Sequence, residues 1–203
     1  MAMSILLFVS LSGFLTSVVR RFLPLLVMEP DIRWDDIKGR GIGIFKYFFG
    51  QIRFLRPFER VHGIAHVMIF WGALVVTLST IQMVGRGFVP DFHLPGFGPT
   101  KIGLSYIFLK DLFSLFIIAG CVIAFCNRVF LRPARMILSL EALIILIWIF
   151  SMMMMDLLYE GTLFILSPEH PESRAAFLGM AIKNLLVAMG LTAESVSYTH
   201  LRA

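Results

Sequence analysis

The chain has 203 residues, of which 58% are hydrophobic and only 15% are charged, and its mean hydropathy is +0.85. Soluble domains carry about 25% charged residues, so this composition excludes an ordinary soluble globular protein and indicates an integral membrane protein. The net charge of +5 is not a signal for nucleic-acid binding, because the basic residues gather in particular connections between apolar segments, as membrane topology requires.

The first apolar segment, residues 3–27, predicts a transmembrane helix. Arg20 and Arg21 follow its apolar core and no basic residue precedes it, whereas a secretory signal peptide carries its positive charge first. We therefore expect a retained helix with its N-terminus outside. The connection that follows is rich in Lys and Arg and is expected in the cytoplasm. Within it, the apolar and aromatic run over residues 42–55 predicts an interfacial helix.

Three further apolar runs predict transmembrane helices at about residues 60–84, 104–130 and 136–158, because a span needs about 20 apolar residues. Residues 174–191 predict an amphipathic helix on the outer surface, since Lys183 near the middle of a span would cost about 3 kcal/mol. The predicted fold class is an all-α integral membrane bundle with four transmembrane helices and interfacial amphipathic helices.

The last residues, 192–203, continue no apolar periodicity and resemble a translated sequencing-adapter read-through. We expect this tail to be a gene-model artefact and the natural protein to continue beyond it. His200 belongs to the tail, and no role is assigned to it.

Two histidines, His62 and His66, lie one helical turn apart where the helix over residues 60–84 enters the membrane. Polar side chains at that depth need a partner, and imidazoles are common ligands of metals and haem iron. Neighbours on one helix face cannot reach both sides of one haem, so a bis-histidine haem needs a second helix. Alternatively, the two imidazoles sit at the headgroup boundary and bond to water or carbonyl groups.

The residues around His66 suit a haem. Gly63 makes that side of the helix small, so that a flat cofactor can approach the backbone. Three arginines precede the helix on its cytoplasmic side, where haem propionates need cationic partners: Arg53, Arg56 and Arg60.

The sequence gives less specific predictions for the roles of four other polar residues. Lys110 and Asp111 pair with each other or reach the interface, and the alternative is a quinone-binding role. His93 and His170 lie in outward connections and are expected to be exposed to solvent.

The segment 50–72, with its Gly-x-x-His-x-x-Ile-Phe-Trp-Gly run around His66, resembles the membrane domain of iron–sulfur oxidoreductases. These enzymes are heterodisulfide-reductase-like or electron-transfer-flavoprotein:quinone oxidoreductases, and their membrane domain is similar to the nitrate reductase gamma subunit. The likeness extends over about residues 20–191. It implies that His66 is a haem ligand and that a fifth helix, which supplies the opposing ligands in relatives, is missing here.

The resemblance also implies a function. The chain is expected to be a b-haem module in the prokaryotic cytoplasmic membrane, with one haem, or two in the full-length protein. It would couple menaquinone or another quinone to a cytoplasmic portion with [4Fe-4S] clusters and to partners such as electron-transfer flavoprotein. The fragment alone is expected to be inactive. The alternative is a non-redox membrane anchor or small transporter with interfacial histidines, in which Lys110 and Asp111 mark a polar path.

Overall fold

The computed structural model describes residues 2–28, 35–55, 60–89, 92–131 and 139–193. Its helices in chain order are α1 (Ala2–Phe22), α2 (Ile37–Gly43), α3 (Arg60–Arg86), α4 (Lys101–Cys126), α5 (Leu140–Leu166) and α6 (Phe177–Ala188). Among the described residues, four helical segments are long and apolar enough to cross a membrane: Ser4–Leu26, Arg60–Arg86, Lys101–Leu131 and Leu140–Leu166. The described residues form no strand, which confirms the predicted all-α membrane fold class.

Contacts divide the chain into two compact units, Met1–Phe49 and Gly50–Ala203. In the first unit, α1 ends in a 3-10 turn, and α2 continues as a π-helix over Ile44–Phe49. The predicted interfacial helix over residues 42–55 therefore ends early. Gln51 adopts a positive φ of 50°, which a helix cannot accommodate.

In the second unit, α3 and α4 form a closely packed antiparallel pair. Two glycines allow the close approach: a Cβ on Gly72 would stand 2.2 Å from the side chain of Ile117, and one on Gly120 would stand 2.9 Å from the carbonyl oxygen of Ala65. Small residues at such contacts are a common means of packing helices in membranes. The Tyr106 hydroxyl also donates a hydrogen bond of 2.9 Å to a carbonyl on α3.

The helix α5 runs from Leu140 to Leu166, whereas the sequence predicted a span over residues 136–158. Residues 136–138 lie outside the described part of the chain. At the other end the predicted span was too short, because the chain carries two carboxylates there, Asp156 and Glu160. Both carboxylates instead lie inside the helix and face partners on α4.

The helix α6 falls within the predicted amphipathic segment 174–191 and packs along the last turns of α5. Gly179 lies against Phe164, and Gly161 lies against the side chain of Ile182. These pairs show that α6 runs antiparallel to α5 and packs against it. Leu186 is buried, whereas Leu185 and Val187 remain exposed. The position of this segment on the outer surface of the membrane stays a prediction. Residues 194–203, which contain most of the anomalous tail, lie outside the described residues.

We expect Gly120→Ala to destabilise the protein by about 1–3 kcal/mol, because its methyl group would meet the backbone of α3. Thermal unfolding of the purified protein in detergent measures the effect. Gly13→Ala in α1 is the matched control, since nothing lies within 4 Å of its Cβ position. Equal melting temperatures for the two variants would show that the α3–α4 contact is looser than described.

Candidate functional site

The predicted haem ligand His66 lies on α3 with its side chain exposed. Its ring stacks on the ring of Phe54, with the two centroids 4.2 Å apart and the planes 30° apart. Phe54 belongs to the turn that precedes α3. His62, one turn earlier, is half-buried and has a contact of its own.

Gly63 has a structural reason to be glycine. A Cβ at this position would stand only 1.6 Å from the carbonyl oxygen of Phe54, so the turn before α3 presses directly on the helix. The close approach that the sequence assigned to a flat cofactor is made here by the chain's own backbone. The role of Gly63 as a haem shelf stays a prediction.

Two of the three predicted propionate partners lie within the described part of the chain. Arg60 is the first residue of α3 and is exposed, and Arg53 is exposed in the preceding turn. Arg56 lies outside the described residues. Arg53 and Arg60 are thus close in sequence to the start of α3, where His66 also lies.

The residues present do not complete a bis-histidine haem site. His93 contacts Arg86 at the far end of α3, roughly 30 Å along the helix from His66. His170 lies in the same region, next to Glu172. Among the described residues, therefore, no second imidazole opposes His66, and these residues contain no cluster of three or more His, Cys, Asp or Glu side chains suited to a metal ion.

A second polar site lies inside the bundle, around Lys110. The side chain of Lys110 is 2% exposed and that of Asp111 is fully buried. The ammonium group forms a short ion pair with Glu160. It also lies 3.5 Å from Asp111 Oδ1 and 3.7 Å from Asp156 Oδ2. The predicted pairing of Lys110 with Asp111 is therefore one part of a larger cluster.

Sequence reasoning missed Asp156 and Glu160. They stand four residues apart on α5 and so share one helix face. Two carboxylates on one face of an apolar span are a signal for a buried cationic partner. That signal was lost because the span was ended at about residue 158.

Asp111 contacts α6, unlike its neighbour Lys110, which pairs with α5. Its Oδ2 atom accepts a hydrogen bond of 2.7 Å from the backbone N–H of Leu178, in the first turn of α6. The first N–H groups of a helix have no partner within it and favour a negative charge. Asp111 therefore fixes the start of α6 against α4.

The Lys110 cluster opens onto a cavity of about 250 Å³. At its other end, Arg86 donates a hydrogen bond of 2.6 Å to Glu172, and Arg86 Nη2 lies 3.3 Å from His93 Nδ1. The cavity lining contains the polar side chain of Gln82 and seven ionisable side chains: Arg86, Tyr106, Lys110, Asp156, Tyr159, Glu160 and Glu172.

His93 and His170 were expected to be exposed to solvent, and the structure places both differently. Each is half-buried. The Nδ1 atom of His170 accepts a hydrogen bond of 3.4 Å from the backbone N–H of Glu172. His93 thus contacts the guanidinium group of Arg86, whereas His170 contacts the backbone of Glu172.

The two sites are separate. The part of α3 that lines the cavity begins at Ser79, thirteen residues and roughly 20 Å of helix beyond His66. One site therefore lies where α3 begins, and the other extends toward the end where α3 finishes.

Comparison with known proteins relates the chain distantly to an iron–sulfur oxidoreductase. Over 161 residues it is 27% identical to a protein of Bacillus subtilis (strain 168) with the name "Probable iron-sulfur-binding oxidoreductase FadF". The aligned part is 79% of this chain, which spans only 22% of the length of that relative. No protein family model matches the chain, and no solved structure matches it. The similarity supports a relation to iron–sulfur oxidoreductases at this coarse level.

We expect Lys110→Met to destabilise the protein by about 3–5 kcal/mol, because it leaves buried carboxylates without their cation. The measurement is thermal unfolding in detergent. Lys101→Met is the matched control, since Lys101 is exposed at the start of the same helix. The double variant Lys110→Met with Glu160→Gln should recover part of the loss. If Lys110→Met unfolds at the same temperature as the control, the ion pair does not contribute as described.

Proposed function

We propose that the chain is the membrane electron-transfer module of an iron–sulfur oxidoreductase and exchanges electrons with membrane quinone. The observation that carries the proposal is the cavity between the membrane-spanning helices, with Lys110 and Glu160 paired in its wall. The distant similarity to an iron–sulfur-binding oxidoreductase supports a redox role. The predicted location is the cytoplasmic membrane of a prokaryote, with the N-terminus outside.

The cavity has the chemistry that a quinone headgroup requires. The carbonyl or hydroxyl oxygens of a quinone headgroup need hydrogen-bond donors and acceptors within apolar surroundings. The cavity wall offers the Lys110 ammonium group and the Glu160 carboxyl group. A volume of about 250 Å³ is near the lower end of the range of roughly 300–1,000 Å³ for ligand sites. A single ring system suits it, with the isoprenoid tail in the lipid. Menaquinone is the ligand we propose.

We further propose that the imidazole of His66 would bind the iron of a b haem. Its exposed imidazole on α3 fits a ligand that projects away from the α3–α4 contact. Arg60 and Arg53 would face the propionates, with Arg56 as a third candidate. The opposing ligand would come from a part of the protein that the structure does not describe. When bound, the haem would supply one-electron redox chemistry, and the protein would hold and orient it.

The iron–sulfur portion is proposed to lie outside this chain. A [4Fe-4S] cluster needs four cysteine ligands, whereas the chain contains only two cysteines. A cytoplasmic domain or subunit with these clusters is therefore the proposed partner. Electron-transfer flavoprotein is a candidate for the soluble protein beyond it.

One observation favours a second candidate function. Buried ionisable groups within membrane helices also mark the pathways of transporters, and the Lys110 cluster has this character. In that case the chain would be a small transporter or a non-redox anchor, and His62 and His66 would be interfacial side chains. The haem and quinone tests below separate the two functions.

The first test is optical. The full-length gene product, expressed with ample haem precursor, should show a low-spin b-haem spectrum, and His66→Ala should remove most of that absorbance because an axial ligand is lost. His93→Ala is the matched control, since His93 lies near the opposite end of α3. The isolated 203-residue chain should bind haem weakly or not at all. A colourless full-length protein, or a His66→Ala variant with undiminished absorbance, would exclude the haem proposal.

The second test is binding of a hydroxyquinoline N-oxide, an analogue of a quinol headgroup. We expect Glu160→Gln to weaken binding about tenfold, because it removes the hydrogen bond between the Glu160 carboxyl group and the headgroup, and such a bond contributes roughly 0.5–1.5 kcal/mol. Fluorescence quenching in detergent measures the affinity. Glu141→Gln is the control, since Glu141 is exposed in the first turn of α5. Equal affinities for the two variants would place the quinone elsewhere.

A further inference from the structure

We propose that the cavity is a proton-transfer path between the buried carboxyl group of Glu160 and the connections beside Glu172. The proposal rests on the proposed quinone function, because oxidation of a quinol releases protons that must leave the membrane interior. It assigns roles to Glu160 and Glu172. The path runs from the ion pair at Lys110 to the ion pair at Arg86, which line the same cavity.

The charges of this region favour a bound proton. Four carboxylates belong to it and only two cations. The carboxylates are Asp111, Asp156, Glu160 and Glu172, and the cations are Lys110 and Arg86. An uncompensated charge is costly in a buried site, so the excess of carboxylates over cations is relieved when a carboxyl group keeps a proton. Such a group can pass that proton on.

Glu160 is the inner proton carrier. Its Oε1 atom pairs with Lys110, whereas its buried Oε2 atom has no hydrogen-bond partner among the described residues. A proton on Oε2 would therefore disturb no existing bond. Asp156, one turn earlier on α5, also lines the cavity and can share the proton.

Glu172 is the outer proton carrier. It is 17% exposed and its partner Arg86 is 29% exposed, so this end of the cavity reaches the surface. His93 contacts Arg86, and His170 contacts the backbone N–H of Glu172. The carboxyl group of Glu172 is itself partly exposed, so it can release its proton to solvent directly.

The cavity can hold the water that joins the two carriers. A water molecule occupies roughly 30 Å³, so about 250 Å³ has room for several when no headgroup occupies the cavity. The cavity wall also includes the polar side chains of Gln82 and Tyr159. In each transfer one O–H bond breaks at the donor and one forms at the acceptor. The Glu160 acid becomes a carboxylate beside Lys110, and the Glu172 carboxylate becomes an acid that releases its proton to solvent.

Proton transfer during turnover is the first test. In liposomes that contain the full-length protein, quinol oxidation by an added one-electron acceptor is followed together with a pH-sensitive dye. Glu172→Gln should slow both signals by about tenfold or more, because a proton carrier is lost, while the affinity for the quinol analogue stays unchanged. Formate should restore the rates, since a small acid can replace the missing carboxyl group. Glu172→Asp should keep most of the activity.

Glu169→Gln is the matched control for these rates. Glu169 is exposed in the same connection and does not line the cavity. Wild-type rates in Glu172→Gln would overturn the proposal. A slow but folded Glu172→Gln that formate does not restore would also overturn it, because the defect would then be structural.

Infrared spectroscopy tests the path without a quinone. The wild type should show a carboxylic-acid band that is missing in Glu160→Gln, and the band should shift within a short time after transfer to D₂O. In Glu172→Gln the shift should be about tenfold slower, because the route to solvent is interrupted. If no such band exists, or if its exchange is equally fast in both proteins, the path is refuted. If these infrared results are obtained but the protein neither binds nor oxidises quinol, the quinone proposal fails and the proton path stands.

Discussion

The burial of Lys110 determines how the helices of the second unit face one another. An ammonium group inside a membrane bundle must have a carboxylate partner, and the nearest is Glu160 on α5. This pairing turns the face of α5 that carries Asp156 and Glu160 toward α4. The opposite face of α5 is then left with exposed apolar side chains such as Ile147 and Trp148. Charges point inward and apolar groups outward, as a lipid surrounding favours.

The fold class could be predicted from the sequence because it depends on one simple quantity, the length of uninterrupted apolar sequence. The bounds of α3 agree with the prediction to within two residues. The end of α5 was wrong for a physical reason. A carboxylate opposes membrane insertion when considered alone, yet Glu160 is stabilised by a cation fifty residues earlier in the chain. Periodicity within one helix carries no information about that partner.

The candidate sites also differ in how much of each could be predicted from local sequence. His66 stands out in the sequence because a histidine in an apolar helix is unusual, and local spacing was enough to select it. The contact between Gly63 and the Phe54 carbonyl could not be read from spacing, because it depends on how the preceding turn folds back. The outer end of the cavity joins Arg86 to Glu172, which lie 86 residues apart. Helix packing alone brings them together, so His93 and His170 were taken for ordinary loop residues.

The bond from Leu178 to Asp111 has a consequence for how the protein is built during synthesis. On leaving the ribosome, α4 would carry two charged residues into lipid by itself, at a cost of about 3 kcal/mol for each on the insertion scale. That cost falls once α5 stands beside it with Asp156 and Glu160. The two helices are therefore expected to leave the insertion machinery as a hairpin. The first turn of α6 can bind the Asp111 carboxylate only afterwards, so α6 adds to a pair of helices that the ion pairs have already joined.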